Sequence, residues 1–339
     1  MKRPAVLAVD GGGSKVDATL VGRDGSVLAA VRVPNIDDGV DPFGYLDGVA
    51  AAVTEVSRHL SPRRGDAPLA PLGIYCLAGA DLPADDRRIL RWIGQRGWTT
   101  NDVLRNDTFA VLRAGTDRTW GVGIVCGFGT NCSAIGPSGR TYRLPAVGPV
   151  SGDWGGGSEI GGAALWHALR ARDGRGPRTS LERLVPAHFG MRRPRQVMEA
   201  IYFGRLSEER LAELAPIVFR AAADDAVARS IVDRQADEIA TMAKAAIRRL
   251  GMTRRDPDVV LGGGIFHNDL PSFFERIETE IHRVCPEARI AVLATPPVVG
   301  AALLGLDRLG ASEAAKARVR TALTHERLAG DTRPAARKE

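Results

Sequence analysis

The sequence predicts an α/β protein of two similar domains, because a glycine-rich turn between two strands occurs once in each half of the chain. In the first half, an apolar run at residues 5–9 leads into the first glycine turn, residues 10–15 with the sequence DGGGSK. In the second half, the strand at 121–126 leads into the second glycine turn, residues 127–131 with the sequence GFGTN. The 339 residues are enough for two domains with separate cores.

The first glycine turn is predicted to bind a phosphate group. Glycines have no side chain, so a bulky anion can approach their backbone N–H groups closely. Lys15 adds a positive charge, Ser14 adds a hydroxyl, and Asp10 at the strand end is placed to hold a metal ion that the anion carries. The spacing is neither that of a P-loop nor that of a dinucleotide turn, and an ordinary tight turn is the alternative.

Both glycine turns are predicted to lie in β-hairpins, since apolar segments joined by short turns follow each of them. The two turns also align with each other: Gly11, Gly13 and Ser14 correspond to Gly127, Gly129 and Thr130. A repeat of this kind predicts two similar domains that clasp a nucleotide between them. Chance similarity of two glycine-rich turns is the alternative.

A candidate general base follows a short predicted strand at residues 102–105. Asn106-Asp107-Thr108 lies at the end of this strand and precedes an apolar helix at 109–113. Ligands bind at strand ends in α/β sheets, and a carboxylate there can accept a proton from a hydroxyl that attacks a phosphate. The alternative is that Asp107 or Thr108 only caps the helix.

Two further glycine-rich segments are predicted to contact ligands. The long glycine loop, residues 148–161, contains Asp153, which can accept hydrogen bonds from sugar-like hydroxyls or stabilise its own turn. The third glycine turn, Gly262-Gly263-Gly264, follows a buried strand and precedes Asn268. It offers a flat surface for a base and ribose.

Composition and motifs argue against several classes of protein. The formal net charge of +6 comes from basic residues scattered among acids without interleaved aromatics, which argues against nucleic-acid binding. The four cysteines form no C-x-x-C pair and the six histidines form no zinc motif. Without an apolar run of 18 residues or a signal-like start, the chain is predicted to be cytoplasmic and to have no membrane partner.

The remaining pattern gives the predicted elements and domain limits. Residues 1–115 are predicted as the first domain, 116–310 as the second, and 311–339 as a helix with a basic tail that is disordered past Leu328. Predicted helices lie at about 42–60, 85–94, 162–171, 222–250 and 299–304, with breaks near Pro186, Pro194 and Pro216; further strands lie at 72–77, 258–261 and 289–293.

The order of two phosphate hairpins, an intervening aspartate and a late Gly-Gly-Gly turn resembles the actin/hexokinase/Hsp70 ATPase superfamily. More narrowly, residues 5–305 resemble the BadF/BadG/BcrA/BcrD ATPase family, whose sugar-kinase members include N-acetylglucosamine kinase. The resemblance implies two ribonuclease H-like (actin-like ATPase) domains around a central nucleotide cleft. It also implies phosphoryl transfer from Mg²⁺-bound ATP to the 6-hydroxyl of an amino sugar, with N-acetylglucosamine or glucosamine as the first choices.

The resemblance further assigns roles to particular residues. Asp107 would be the general base, and Asp10 would lie near Mg²⁺. The residues implied to bind the sugar are Asn35, Asn106, Thr130, Asn131, Gly148 and Asp153. Those implied to bind ATP are Asp10, Gly12, Gly13, Ser14, Lys15, Gly127, Gly129 and Thr130 at the phosphates, and Gly262, Gly263, Gly264 and Asn268 at the adenosine. Segments 146–148 and 152–156 differ from the residues that N-acetylglucosamine kinases tend to carry at the sugar pocket.

Two other functions stay open at this point. One is an ATPase activator of a 2-hydroxyacyl-CoA dehydratase, which holds an iron–sulfur cluster through cysteines at a dimer interface. The other is a non-catalytic sensor of sugar or nucleotide. The sequence leaves the preferred amino sugar and the oligomeric state undetermined, a homodimer included.

Overall fold

The computed structural model describes residues 3–35, 44–60 and 67–330. These residues form two compact units. The first is drawn from Met1–Gly123, Ser133–Gly139 and Ala291–Glu339, and the second from Ile124–Cys132 and Arg140–Ile290. The predicted domain limits at residues 115 and 310 stay predictions.

The described residues form ten strands and twelve α-helices. The strands are β1 Val6–Gly11, β2 Lys15–Val21, β3 Val27–Pro34, β4 Ala70–Leu77, β5 Thr99–Asn106, β6 Gly121–Cys126, β7 Thr130–Ile135, β8 Thr141–Arg143, β9 Asp258–Gly262 and β10 Arg289–Val292. The helices are α1 Tyr45–Arg58, α2 Pro83–Gly94, α3 Asp107–Gly115, α4 Gly156–Asp173, α5 Leu181–His188, α6 Pro194–Tyr202, α7 Ala215–Ala221, α8 Ala226–Arg249, α9 Pro271–His282, α10 Val298–Arg308, α11 Glu313–Ala322 and α12 His325–Gly330.

The first sheet has the strand order β3-β2-β1-β4-β5. β1 pairs antiparallel with β2 and parallel with β4, and β4 pairs parallel with β5. Leu7 and Val9 pack in one buried cluster with α1, while Val6 and Ala8 pack in another with α10. The alternation of a strand therefore buries both faces of this sheet.

The second sheet has the order β10-β9-β6-β7-β8. The second glycine turn connects β6 to β7, as the first connects β1 to β2. The prediction of one glycine turn inside a hairpin in each half of the chain is therefore confirmed. All four cysteines are buried, and none of them forms a disulfide.

Several element limits differ from the sequence predictions. β5 begins at Thr99 rather than at residue 102, because parallel pairing with β4 continues from Ala70–Thr99 to Leu77–Asn106. α8 begins at Ala226 rather than at residue 222, since Asp225 caps it by accepting hydrogen bonds from the next turn.

The predicted helix breaks at three prolines and the predicted C-terminal tail can also be compared with the structure. Pro194 and Pro216 lie in the first turn of α6 and α7, where proline is tolerated, and Pro186 lies inside α5, which ends two residues later at His188. Helix boundaries therefore lie near all three prolines, as predicted. Past Leu328, α12 continues to Gly330, and the rest of the predicted tail lies outside the described residues.

No helix among the described residues combines the length and apolar character needed to cross a membrane.

Candidate functional site

Hydrogen bonds to its carbonyl groups hold the first glycine turn open. The Asn35 Nδ2 group donates to the Gly12 carbonyl at 2.9 Å, and the Ala78 N–H donates to the Gly11 carbonyl at 2.9 Å. In a trans peptide the N–H points opposite to the C=O, so the Gly13 N–H points away from Asn35. A Cβ added at Gly12 or Gly13 would have no described atom within 4 Å. The space beside these glycines is therefore available to a bulky ligand.

Two charged residues that the sequence analysis missed lie beside Asp10. Asp17 lies opposite Asp10 in the β1–β2 register, and Arg32 lies opposite Asp17 in the β2–β3 register. Asp17 is fully buried and accepts two hydrogen bonds from the Arg32 guanidinium, at 2.6 and 2.7 Å. The signal for both was present in the sequence, since each is a charged residue with apolar residues on both sides.

Asp10 lies in a negative environment. Burial raises the pKa of its carboxyl well above the usual range, and the nearby carboxylates of Asp17 and Asp107 raise it further, against the charges of Lys15 and Arg32. A bound cation would relieve the cost of ionising this carboxyl. The donor chemistry at Asp10 therefore fits a hard divalent cation.

Asp107 is the first residue of α3, and its neighbour Asn106 caps the helix. The Asn106 Oδ1 atom accepts from the Thr108 N–H at 3.1 Å and from its hydroxyl at 2.6 Å. Neither Asp107 nor Thr108 is therefore needed as the cap. Burial raises the pKa of Asp107 to about 7, and the N–H groups of Thr108 and Asp107 oppose this rise only in part.

The sheet register relates Asp107 to the first glycine turn. Gly11 on β1 is aligned with Leu77 on β4, and Leu77 is aligned with Asn106 on β5. Two strand spacings amount to about 10 Å. The first unit therefore places the Asp107 carboxyl group, whose pKa is near neutrality, at the same ends of the parallel strands as the predicted phosphate site. A separation of about 10 Å leaves room for a small substrate between them.

The second glycine turn lies against the start of α4. The Gly157 N–H donates to the Gly127 carbonyl at 2.8 Å, and the Ser158 N–H donates to the Phe128 carbonyl at 3.0 Å. Because both carbonyls face α4, the N–H groups of Phe128 and Gly129 point the other way. Phe128 and Gly129 are exposed. This turn therefore also presents backbone N–H groups at an open surface.

The polar residues at the end of the second glycine turn and in the long glycine loop make hydrogen bonds within the protein. Thr130 and Asn131 are buried; the Thr130 hydroxyl donates to the Val125 carbonyl at 3.3 Å, and the Asn131 Oδ1 atom accepts from the Cys132 N–H at 2.7 Å. In the long glycine loop, the Asp153 carboxylate accepts from the Ser151 hydroxyl and from the Gly148 N–H, the latter at 3.1 Å. Asp153 thus stabilises its own loop, and its contact with a sugar stays a prediction.

Asn106 is similarly engaged inside the first unit. It is fully buried, and its Nδ2 group donates to the Asp81 carboxylate at 2.9 Å. Its direct contact with a sugar also stays a prediction.

The third glycine turn borders a cavity of about 650 Å³ in the second unit. Gly264, Ile265 and Asn268 line one part, and apolar residues of α7, Ala215 and Phe219, line another. Asn268 shapes this wall, because its Nδ2 group donates to the Ile265 carbonyl at 2.7 Å and its Oδ1 atom accepts from the Leu270 N–H. Gly127 and Phe128 of the second glycine turn line the same cavity, whose volume suits a small organic ligand. The structure thus brings together two segments that the sequence predicted to bind nucleotide.

The two units have the actin-like α/β fold of a solved sugar-kinase structure, so the predicted fold class is confirmed. A crystal structure of a Chromobacterium violaceum protein, provisionally named an N-acetylglucosamine kinase, is similar with a TM-score of 0.69 and 22% identity over 90% of this chain and 99% of that one. More narrowly, the chain belongs to the BadF/BadG/BcrA/BcrD ATPase family, whose model matches residues 7–305. Membership of this family implies the use of ATP.

Curated relatives match nearly the whole chain. An N-acetyl-D-glucosamine kinase of Dictyostelium discoideum is 26% identical over 91% of this chain and 99% of its own length. An N-acetylmuramic acid/N-acetylglucosamine kinase of Clostridium acetobutylicum is 25% identical over 88% of this chain and 97% of its own length.

Proposed function

We propose that this chain is an ATP-dependent amino-sugar kinase that transfers the γ-phosphoryl group of ATP to the 6-hydroxyl of N-acetylglucosamine or a close relative. The observation that carries the proposal is Asp107. Its pKa of about 7 and its position about 10 Å along the sheet edge from the first glycine turn suit a base for a hydroxyl that attacks a phosphate. The names of the two curated relatives support the choice of substrate.

Backbone N–H groups would bind the ATP phosphates. In the first unit this is the Gly13 N–H, with the Ser14 hydroxyl and the Lys15 ammonium; in the second these are the N–H groups of Phe128 and Gly129, with Thr130 beside them. The N–H groups of Gly12 and Gly127 already donate to the Lys15 and Gly129 carbonyls, at 3.1 and 2.9 Å, so these two glycines would instead leave room for the phosphates. The adenosine would occupy the cavity beside Gly262, Gly263, Gly264 and Asn268. The open space at Gly12, Gly13, Gly127 and Gly129, where an added Cβ would have no described neighbour, fits this role.

Asp10 would hold Mg²⁺ together with phosphate oxygens. The described residues contain no cluster of three or more His, Cys, Asp or Glu side chains that could hold a metal. That fits Mg²⁺, which is usually held by one or two carboxylates plus substrate phosphates and water. When bound, Mg²⁺ supplies positive charge to the phosphates.

Asp107 would accept the proton of the sugar 6-hydroxyl as that oxygen attacks the γ-phosphorus. With a pKa near 7, it is ionised in a large share of molecules at neutral pH and still binds a proton well. Asn106 would keep Asp107 in place through the cap on α3. Asn35, Thr130, Asn131, Gly148 and Asp153 stay the proposed sugar-binding residues.

The dehydratase activator is a weaker candidate. Its iron–sulfur cluster needs cysteines at the surface where two subunits meet, whereas Cys76, Cys126, Cys132 and Cys285 are all buried. A non-catalytic sensor would have no use for a carboxyl group poised as a base at Asp107.

The test is ADP release from Mg-ATP in the presence of N-acetylglucosamine, glucosamine and N-acetylmuramic acid, each with ³¹P NMR of the product. We expect ADP release that depends on one of these sugars and a phosphate ester on O6. A 6-deoxy analogue of the preferred sugar is the matched control and should give only background release. Turnover without sugar would favour the activator, and ATP binding without turnover would favour the sensor; either result would reject the kinase.

A further inference from the structure

We infer that Gln235 on α8 is a positioning residue for ATP phosphates, acting through the first turn of α4 and the second glycine turn. The inference rests on the proposed phosphate role of that turn. Gln235 is fully buried, and its Oε1 atom accepts a hydrogen bond from the Gly156 N–H at 2.7 Å. Its signal in the sequence was an amide at a core position of α8, between Ile231 and Ile239.

Gln235 completes a set of three hydrogen bonds at the start of α4. In the described part of the chain this helix has no side-chain cap from its own N-cap residue, Gly155. Its first three N–H groups go instead to the Gln235 Oε1 atom, the Gly127 carbonyl and the Phe128 carbonyl. Since helix starts leave such donors unpaired, each acceptor fixes part of the first turn. The second glycine turn and Gln235 thus hold the same helical turn.

The backbone in this region is packed too closely to move independently. A Cβ at Gly156, where φ is +84°, would lie 2.5 Å from the Phe128 carbonyl oxygen and from the backbone of Gly129. A Cβ at Gly155 would lie 2.7 Å from both amide heteroatoms of Gln235. A displacement of Gly156 is therefore passed directly to the Phe128 and Gly129 backbone, whose N–H groups would bind phosphate.

A second contact from α8 reaches the same loop. The Arg234 guanidinium lies 4.0 Å from the ring centre of Trp154, two residues before Gly156. Adjacent residues of one helix therefore hold both the side chain and the backbone of this segment.

The unpaired Nε2 group of Gln235 indicates that this residue does more than stabilise the fold. Among the described residues, its Nε2 group has no hydrogen-bond partner, and a buried unpaired donor is unfavourable. Replacing the amide by an apolar side chain of similar size removes this cost while it also removes the acceptor for Gly156. The net effect on stability should therefore be small, and the effect on phosphate binding should remain.

The experiment compares Gln235→Met with wild type by calorimetric titration with ATP and, separately, with adenosine. We expect ATP affinity to fall about fivefold or more, which corresponds to about 1 kcal/mol. Adenosine affinity should change less than twofold, with Tm within about 2 °C of wild type. Ile239→Val is the matched control on the same buried face of α8; it should lower Tm slightly and leave both affinities unchanged.

Unchanged ATP affinity in Gln235→Met, or an equal loss for ATP and adenosine, would overturn the inference. Gln235→Asn, whose shorter side chain withdraws the acceptor, repeats the test if the methionine variant does not fold. Binding is measured without sugar, so the result does not depend on turnover. Failure of the kinase proposal would show instead as wild-type protein that binds ATP but phosphorylates no sugar.

Discussion

Both glycine turns lie in hairpins, but the first has charged side chains on its neighbouring strands, whereas the second packs against the N-terminus of α4. In the first, Asn35 holds the Gly12 carbonyl, and Lys15, Asp17 and Arg32 surround Asp10 with charge. In the second, N–H groups of α4 hold the Gly127 and Phe128 carbonyls, and the turn itself carries no charged residue.

The two turns share a backbone arrangement, in which N–H groups point outward. They differ in their surroundings, which are charged side chains at the first turn and a helix N-terminus at the second. In each, fixing a carbonyl points the next N–H outward. In each, an amide side chain uses one end to hold the site, the half-buried Asn35 through Nδ2 and the buried Gln235 through Oε1, and its other end has no partner among the described residues. We expect the first turn to contribute charge and the second to contribute mainly oriented dipoles.

Alanine substitutions in the two turns test the feature they share, the open space beside outward-pointing backbone N–H groups. Gly13→Ala and Gly129→Ala should each weaken ATP binding about tenfold, about 1.4 kcal/mol, because the new methyl occupies space that a phosphate would fill. Neither methyl meets a described atom within 4 Å, so Tm should not fall. Gly162→Ala in α4, equally open, is the control and should leave ATP affinity unchanged. An effect at one turn alone would break the comparison.

Removing the charge of Lys15 tests whether charged side chains contribute to ATP binding at the first glycine turn and not at the second. Lys15→Met should weaken ATP binding about fivefold at low salt and about twofold at 0.5 M salt, since salt screens an exposed charge. The difference in ATP affinity between Gly129→Ala and wild type should depend on salt much less than the difference for Lys15→Met. Titrations of both variants at the two salt concentrations check this, and equal salt dependence would contradict the assignment of charge to the first turn.

Asp107→Asn should leave the protein at least as stable as wild type. The folded-state pKa of Asp107 is raised from 3.8 to about 7, so its favourable contribution is present below pH 3.8 and is lost as the pH rises toward 7. At pH 8 the wild type carries a buried charge that the asparagine lacks, and the variant should melt about 2 °C higher or more. The difference should shrink at pH 5. A variant that melts lower at pH 8 would contradict the raised pKa.

Local patterns were sufficient for much of the fold and site. Glycines after an apolar run revealed both turns, and Asn106-Asp107-Thr108 after a strand revealed the candidate base. The sequence did not reveal which polar groups would be used inside the protein, because that depends on neighbours far along the chain. Gln235 meets Gly156 across 79 positions, and Asn106 meets Asp81 across 25.

The same reason explains the error at the start of α4. Glycines have low helix propensity, so the sequence predicted this helix only from residue 162. Its first turn forms at Gly156 because Gln235 and the second glycine turn accept its N–H groups.

The most direct test of the account is the pH profile of sugar-dependent ADP formation by wild type and Asp107→Asn, with ATP affinity measured on the same samples. The account predicts that wild-type kcat/KM for the sugar falls as the pH drops below about 7, where Asp107 becomes protonated. Asp107→Asn should lose about 100-fold or more of kcat at pH 8 and still bind ATP within twofold of wild type. Asp117→Asn, at a side chain that is 94% exposed, is the matched control and should behave as wild type. Near-normal turnover by Asp107→Asn would contradict the account.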